Sequence, residues 1–187
     1  MIIGVTGPSG AGKSTVTEYL SKNYGYFIID ADKIAREITS KGSKALDEIS
    51  EEFGKSYITD DGVLDRKKLG TLVFSSKEKL DKLNRITHKY IIDNIKILAK
   101  NNKNAVIDAP LLFETGLEIL CDKLILVLCD EKVRIERIMK RDSISYEDAQ
   151  KRIRSQNNYE DFISKCHIVI NNVGVNISQQ LAEVEKW

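Results

Sequence analysis

A chain of 187 residues, 42% hydrophobic and 30% charged, can bury a full core and suits one domain with room for one insertion. Its 29 basic and 28 acidic residues leave a net charge of +1, which excludes a global field for drawing in nucleic acid or a membrane surface; any basic site is local. Cys121, Cys129 and Cys166 are odd in number and far apart, no cationic leader opens the chain, and the longest apolar run, 124–129, is too short for a bilayer, so core thiols and a cytoplasmic location are expected.

The first strand, Ile2-Ile3-Gly4-Val5, runs into Gly7-Pro8-Ser9-Gly10-Ala11-Gly12-Lys13-Ser14, a complete G-x-x-x-x-G-K-[ST] pattern with a strand before and a helix after it. Glycines in this loop let successive backbone N–H groups turn inward toward phosphate oxygens at the positive end of the next helix. Lys13 then reaches the β- and γ-phosphates, and Ser14 places its hydroxyl on Mg²⁺. A bare glycine-rich turn has no use for Lys-Ser at these two positions. The helix carrying the loop extends from Gly12 to Tyr24, with Val16, Tyr19 and Leu20 at helical spacing and Gly25 at its end. The run 26–29 reads as a buried strand that delivers Asp30 and Asp32.

From 33 to 104 the periodicity is helical and no further strand of this kind is expected. Ile34 and Ile38 mark one helix, Ser43 caps a second that closes at Gly54, Asp60-Asp61-Gly62 marks a turn, and Asp65 caps a third. Ser76 opens the longest helix, which ends in the polar cluster 101–104. Strands resume at 105–108 and 123–129, each nearly continuous in apolar residues, as parallel strands covered on both faces should be. A helix over 131–140 is followed by a break at Arg141-Asp142-Ser143, then by a charged helix from Ser145 to Arg154 that is expected to be exposed and movable. A last strand at 167–170, a turn at 172–174 and a helix from Asn176 through Trp187 complete the pattern. The alternation predicts an α/β fold with a parallel sheet whose ligands bind at the strands' carboxyl ends, where Gly7, Asp30, Asp108 and Asp130 fall.

Three sets of residues carry candidate chemistry. Of Asp30 and Asp32, either can take a proton from an attacking hydroxyl or hold Mg²⁺ through water, and either can cap the following helix. Asp108 stands where nucleotide-binding sheets often place a carboxylate near the metal; Asp130, directly before a helix, reads instead as its cap. Arg137, Lys140 and Arg141 suit either a flap that closes over phosphates or the complement of a helix C-terminus. His88 reads first as a packed or exposed helix residue, and with His167 far away no metal site is indicated. The aromatic residues are scattered, giving no stacking stripe for nucleic acid.

Taken in order, the loop at 7–14, Ile29-Asp30-Ala31-Asp32 with Ile34-Ala35-Arg36, Leu83-Asn84-Arg85-Ile86-Thr87-His88, 106–114, Met139-Lys140-Arg141-Asp142 and Asn171-Asn172-Val173-Gly174 resemble the dephospho-coenzyme A kinases over nearly the whole chain. The resemblance implies a P-loop nucleoside-triphosphate-hydrolase-like fold, a parallel five-stranded sheet flanked by helices, with a helical substrate insertion and a helical lid. It implies a nucleotide-binding core at 1–32 and 105–187, an acceptor region at 33–104, and a lid at about 138–156. It further implies transfer of the ATP γ-phosphate to the ribose 3′-hydroxyl of dephospho-CoA, with Mg²⁺; a monomer is expected, and the balanced charge and scattered aromatics predict no nucleic-acid or membrane partner. Asp32 is then the general base, Lys13 and Arg141 the other catalytic groups. Gly10, Ala11, Gly12, Lys13, Ser14, Thr15, Arg137, Asn172 and Gly174 bind ATP, and Asp30, Arg36, His88, Asp108, Leu111, Leu112, Phe113 and Glu114 bind the acceptor. The spelling Gly-Pro-Ser-Gly-Ala-Gly departs from the family's usual Gly-Gly-Ile-Gly-Ser-Gly, and Lys89 stands where a proline usually follows the histidine.

That loop spelling is closer to guanylate kinases, a rival reading, but their arginine-rich R-x-x-R-x-G-E acceptor segment does not occur. A GTPase switch module would need D-x-x-G and N-K-x-D, and neither string is present.

Overall fold

In the computed structural model, which describes residues 1–173 and 176–187, the first strand, β1 (Ile2–Thr6), is the middle of a five-stranded parallel sheet. The order is β2-β3-β1-β4-β5, with β2 at Phe27–Asp30, β3 at Ala105–Asp108, β4 at Lys123–Leu128 and β5 at Ile168–Asn171. On one side Ile3 pairs with Val106 and Val5 with Asp108; on the other Ile3 pairs with Lys123 and Thr6 with Leu126. Ile3, Val5, Val106, Ile107, Ile125, Leu126 and Val127 have no exposed surface, which is why these strands are apolar on both faces. At roughly 1.5–3 kcal/mol for each buried side chain of this size, the sheet centre is the best-anchored part of the chain. The chain leaves β1 toward β2 and β3 and later crosses to β4 and β5, so the glycine-rich loop emerges where the strand order reverses.

The helices are α1 (Lys13–Tyr24), α2 (Ala31–Glu37), α3 (Lys44–Phe53), α4 (Arg66–Phe74), α5 (Lys77–Asn101), α6 (Glu131–Asp142), α7 (Tyr146–Arg154) and α8 (Ile177–Gln180). Residues cluster into two compact units, Met1–Ile29 with Asn101–Trp187, and Asp30–Lys100. The second has its own core of Leu46, Ile49, Leu64, Leu69 and Val73, packed by Phe53, Leu80, Leu83 and Ile86. Ser43 and Asp65 cap its helices as expected, accepting from Leu46 N at 3.3 Å and Lys68 N at 2.9 Å. Its turn at 60–62 is closed by an antiparallel bridge between Ile58 and Leu64 that periodicity did not reveal.

In the first unit, α6 outruns its expected end by two residues and turns at Ser143, whose φ of 53° is left-handed. Helix α7 is not the bare exposed rod its composition predicts. Ala149 and Ile153 are buried against Ile135 and Ile138 of α6, because a stripe of two apolar residues at i and i+4 suffices when the facing helix supplies the rest. The C-terminal helix is also shorter than expected: α8 gives way to a tighter 3-10 turn over Ala182–Lys186, where the buried Val184 stands three residues beyond the buried capping residue Leu181. Among the described residues no helix is long and apolar enough to cross a membrane.

Candidate active site

Two glycines show why the loop has its sequence. Gly7 has φ 147°, and a Cβ there would sit 2.2 Å from the Val127 carbonyl oxygen, so the loop leaves β1 pressed against the backbone of β4. Gly12, the left-handed residue before α1 with φ 94°, would drive a Cβ to 2.0 Å from Asn172 Nδ2. Only glycine meets both demands. Beyond them, a cavity of about 270 Å³ is lined by Gly10, Gly12, Lys13, Ser14, Arg137 and Arg141. One ammonium, two guanidiniums and the positive end of α1 converge there, which is the chemistry of a polyanion site.

The loop's carbonyls take donors from distant elements. Arg137 Nη1 donates to Gly10 O at 3.1 Å and Ala11 O at 3.3 Å, and its Nη2 to Asn172 O at 3.3 Å. Asn172 Nδ2 donates to Ala11 O at 2.8 Å, while Cys129 Sγ lies 3.4 Å from Asn172 O. Arg134 Nε donates to Ser9 O at 3.0 Å, and Arg141 Nη2 to Ser9 Oγ at 3.3 Å. Lys13 Nζ curls onto the loop's own carbonyls, 2.9 Å from Gly7 O and 3.5 Å from Pro8 O. Ala11 is buried, and Ser14 and Thr15 stand exposed in the first turn of α1. Gly174, expected near the nucleotide, lies outside the described residues. Sequence reading missed Arg134 and Gln156; for Arg134 the i, i+3, i+7 spacing with Arg137 and Arg141 on α6 was the available signal.

The carboxylates separate into different roles. Asp30 Oδ1 accepts from Lys33 N at 2.9 Å and caps α2, and Asp130 caps α6 by accepting from Lys132 N at 2.8 Å. Asp32 lies exposed in the first turn of α2, with Arg36 exposed in its last turn. Asp108 closes β3, half-buried, on the strand that neighbours β1.

After β3 the segment at 109–116 is held by Pro110, whose carbonyl accepts from Thr6 Oγ1 and from Tyr159 OH, both at 3.1 Å. Burial pushes the Tyr159 phenol up to about 12, so it remains a donor. Phe113 stacks on Phe162 with centroids 4.4 Å apart, Leu111 is 45% exposed, and Glu114 accepts from Asn157 Nδ2. Leu112 corrects the expectation for this stretch. It has no exposed surface and fills the space beside Gly4, so its side chain packs into the core.

On α5, His88 is half-buried, and burial draws its imidazole below the ordinary value of 6.5. Its neighbour Lys89 pairs with Glu48 at 3.2 Å, and Tyr90 OH donates to the same carboxylate at 2.5 Å. With a folded value under 6.5, the unfolded chain takes the proton first as pH falls. The stability contributed by neutral His88 is therefore complete above 6.5 and is lost below it. Urea unfolding at about pH 7.5 and about pH 5.5 should show a smaller loss in His88→Gln than in wild type; an equal loss would assign the acid sensitivity elsewhere.

Among the described residues no group of three or more His, Cys, Asp and Glu side chains is placed to hold a metal alone. Ser14, which lines the cavity, carries a hydroxyl, a hard oxygen donor that suits Mg²⁺, an ion that takes few protein ligands and fills its shell with phosphate and water.

A family model described as dephospho-CoA kinase matches residues 1–177. A dephospho-CoA kinase from Fusobacterium nucleatum subsp. nucleatum is 43% identical, the match covering 100% of this chain and 96% of that one. Among solved structures, the dephospho-CoA kinase from Campylobacter jejuni is 32% identical with a TM-score of 0.68, covering 99% of this chain and 95% of that one. A shikimate kinase from Acinetobacter baumannii, 14% identical with a TM-score of 0.60 and covering 99% of this chain and 92% of that one, shares the fold alone. With the phosphate-cradle loop, the parallel sheet and full-length matches in agreement, the chain belongs to the dephospho-CoA kinase family.

Proposed function

We propose that this protein transfers the γ-phosphate of ATP to the ribose 3′-hydroxyl of dephospho-CoA, the last step of coenzyme A synthesis, as a cytoplasmic monomer. The supporting observation is the cationic cavity at the glycine-rich loop in a chain matched along its length by this family. In this reading 1–32 and 105–187 form the nucleotide core, 33–104 receive the acceptor and 138–156 act as a lid.

The acceptor oxygen attacks the γ-phosphorus in line, the bond to the bridging β-oxygen breaks, ADP leaves, and the hydroxyl proton passes to Asp32. Asp30 caps α2 through Oδ1, and Asp32, exposed in the first turn of the same helix, is the carboxylate assigned to this task by the family resemblance. Lys13 and Arg141 neutralise the charge that spreads over the transferred group, so positioning and electrostatics supply most of the barrier reduction. Gly10 to Thr15, Arg137, Asn172 and Gly174 hold the nucleotide, and Arg36, His88, Asp108, Leu111, Phe113 and Glu114 are assigned to binding the acceptor. Ser14 would hold Mg²⁺ through its hydroxyl, and the ion would supply positive charge against the phosphates.

The guanylate-kinase alternative is not favoured by the family match. ADP release separates the two readings directly. Dephospho-CoA should stimulate it strongly and GMP should not; stimulation by GMP alone would sink the proposal.

A further inference from the structure

Ser9 is held at both ends of its peptide frame by side chains that no motif announces. Its N–H donates to Gln156 Oε1 at 3.3 Å, and its carbonyl accepts from Arg134 Nε at 3.0 Å. Arg134 Nη2 closes the circuit by donating to the same Gln156 Oε1 at 2.7 Å. All three groups are part-buried, and burial of Arg134 lowers its pKa from a value so high that the guanidinium stays charged. Arg134 comes from α6, and Gln156 follows α7 by two residues, so the circuit joins the loop to both ends of this helical pair.

The position matters because of what flanks it. Pro8 has no N–H to anchor the loop, and Gly7 and Gly10 on either side both take positive φ, so Ser9 would otherwise hang between conformationally permissive residues. Ser9 Oγ is also where Arg141 rests, at 3.3 Å. Fixing the Ser9 backbone therefore fixes both the first half of the phosphate cradle and a docking point of an arginine that lines it.

We infer that Arg134 and Gln156 are positioning residues that hold the phosphate-binding loop in its ATP-competent shape through Ser9, without touching the substrate themselves. The inference rests on the proposed kinase reading for its activity readout, but ATP affinity reads it independently. The two N–H groups of Arg134 point in fixed directions from one planar group, so an ammonium at the same place keeps the charge and loses the circuit.

In the full-length chain, Arg134→Lys and Gln156→Ala should each raise KM for ATP, and Kd for ATP by calorimetry, about tenfold, while KM for dephospho-CoA stays within about twofold. Because both act on one peptide unit, the double variant should be no worse than the poorer single one. If Gln156→Ala does not fold, Gln156→Met keeps the length of the side chain and carries the same expectation. Wild-type ATP affinity in Arg134→Lys, equal shifts in both KM values, or additive losses in the double variant would each overturn the inference. Absence of dephospho-CoA-dependent turnover in the wild type would instead overturn the kinase reading and leave the ATP measurement decisive here.

Discussion

Lys13→Ala is expected to lower kcat by at least about a hundredfold, the scale of removing one donor aimed at charge that develops in a transition state. Lys13 lines the cavity, and its Nζ donates to the Gly7 and Pro8 carbonyls. The fold does not depend on it, since Val16 and Leu20 of α1 are wholly buried below the loop and unaffected. Circular dichroism and the thermal midpoint should stay close to wild type while acceptor-dependent ADP release collapses. Turnover within about tenfold of wild type would mean that this ammonium does not face the transferred phosphate.

Asp32→Asn should cost roughly 10²–10⁴ in kcat with little change in either KM, because an amide matches the carboxylate in size and cannot accept the proton. Asp30→Asn is the matched control. Its side-chain oxygen can still accept from Lys33 N, so the cap of α2 survives, and its turnover should remain near that of wild type. Should Asp30→Asn lose as much turnover as Asp32→Asn, the division of labour between cap and base would be wrong.

The parts that were legible in the sequence are those whose physics is local. Three glycines followed by Lys13 and Ser14 specify a backbone shape and its ligand within eight residues, and apolar runs such as 105–108 announce a strand buried on both faces. The Ser43, Asp65 and Ser145 caps were readable for the same reason, since each bonds three residues onward. The choice between Asp30 and Asp32 was not, because both are good caps and only the observed hydrogen bond separates them. Arg134 and Gln156 escaped because their partner Ser9 lies 125 and 147 residues away. Leu111 and Leu112 show the same limit. In an irregular turn there is no period to say which leucine points inward, and packing beside Gly4 decided it.

The central place of β1 also bears on how the chain comes off the ribosome. Of the five strands β1 is made first, yet its neighbours β3 and β4 begin only at Ala105 and Lys123, and the loop that follows it is braced by residues as late as Asn172. At about 5–20 residues per second, β1 waits on the order of 5–20 s for a partner strand. The unit at Asp30–Lys100 is contiguous, and among the described residues its core of Leu46, Ile49, Leu64, Leu69 and Val73 is packed by side chains of that same span. It can collapse while the apolar run of β1 is still unpaired, which makes residues 2–6 the segment most in need of shielding during synthesis.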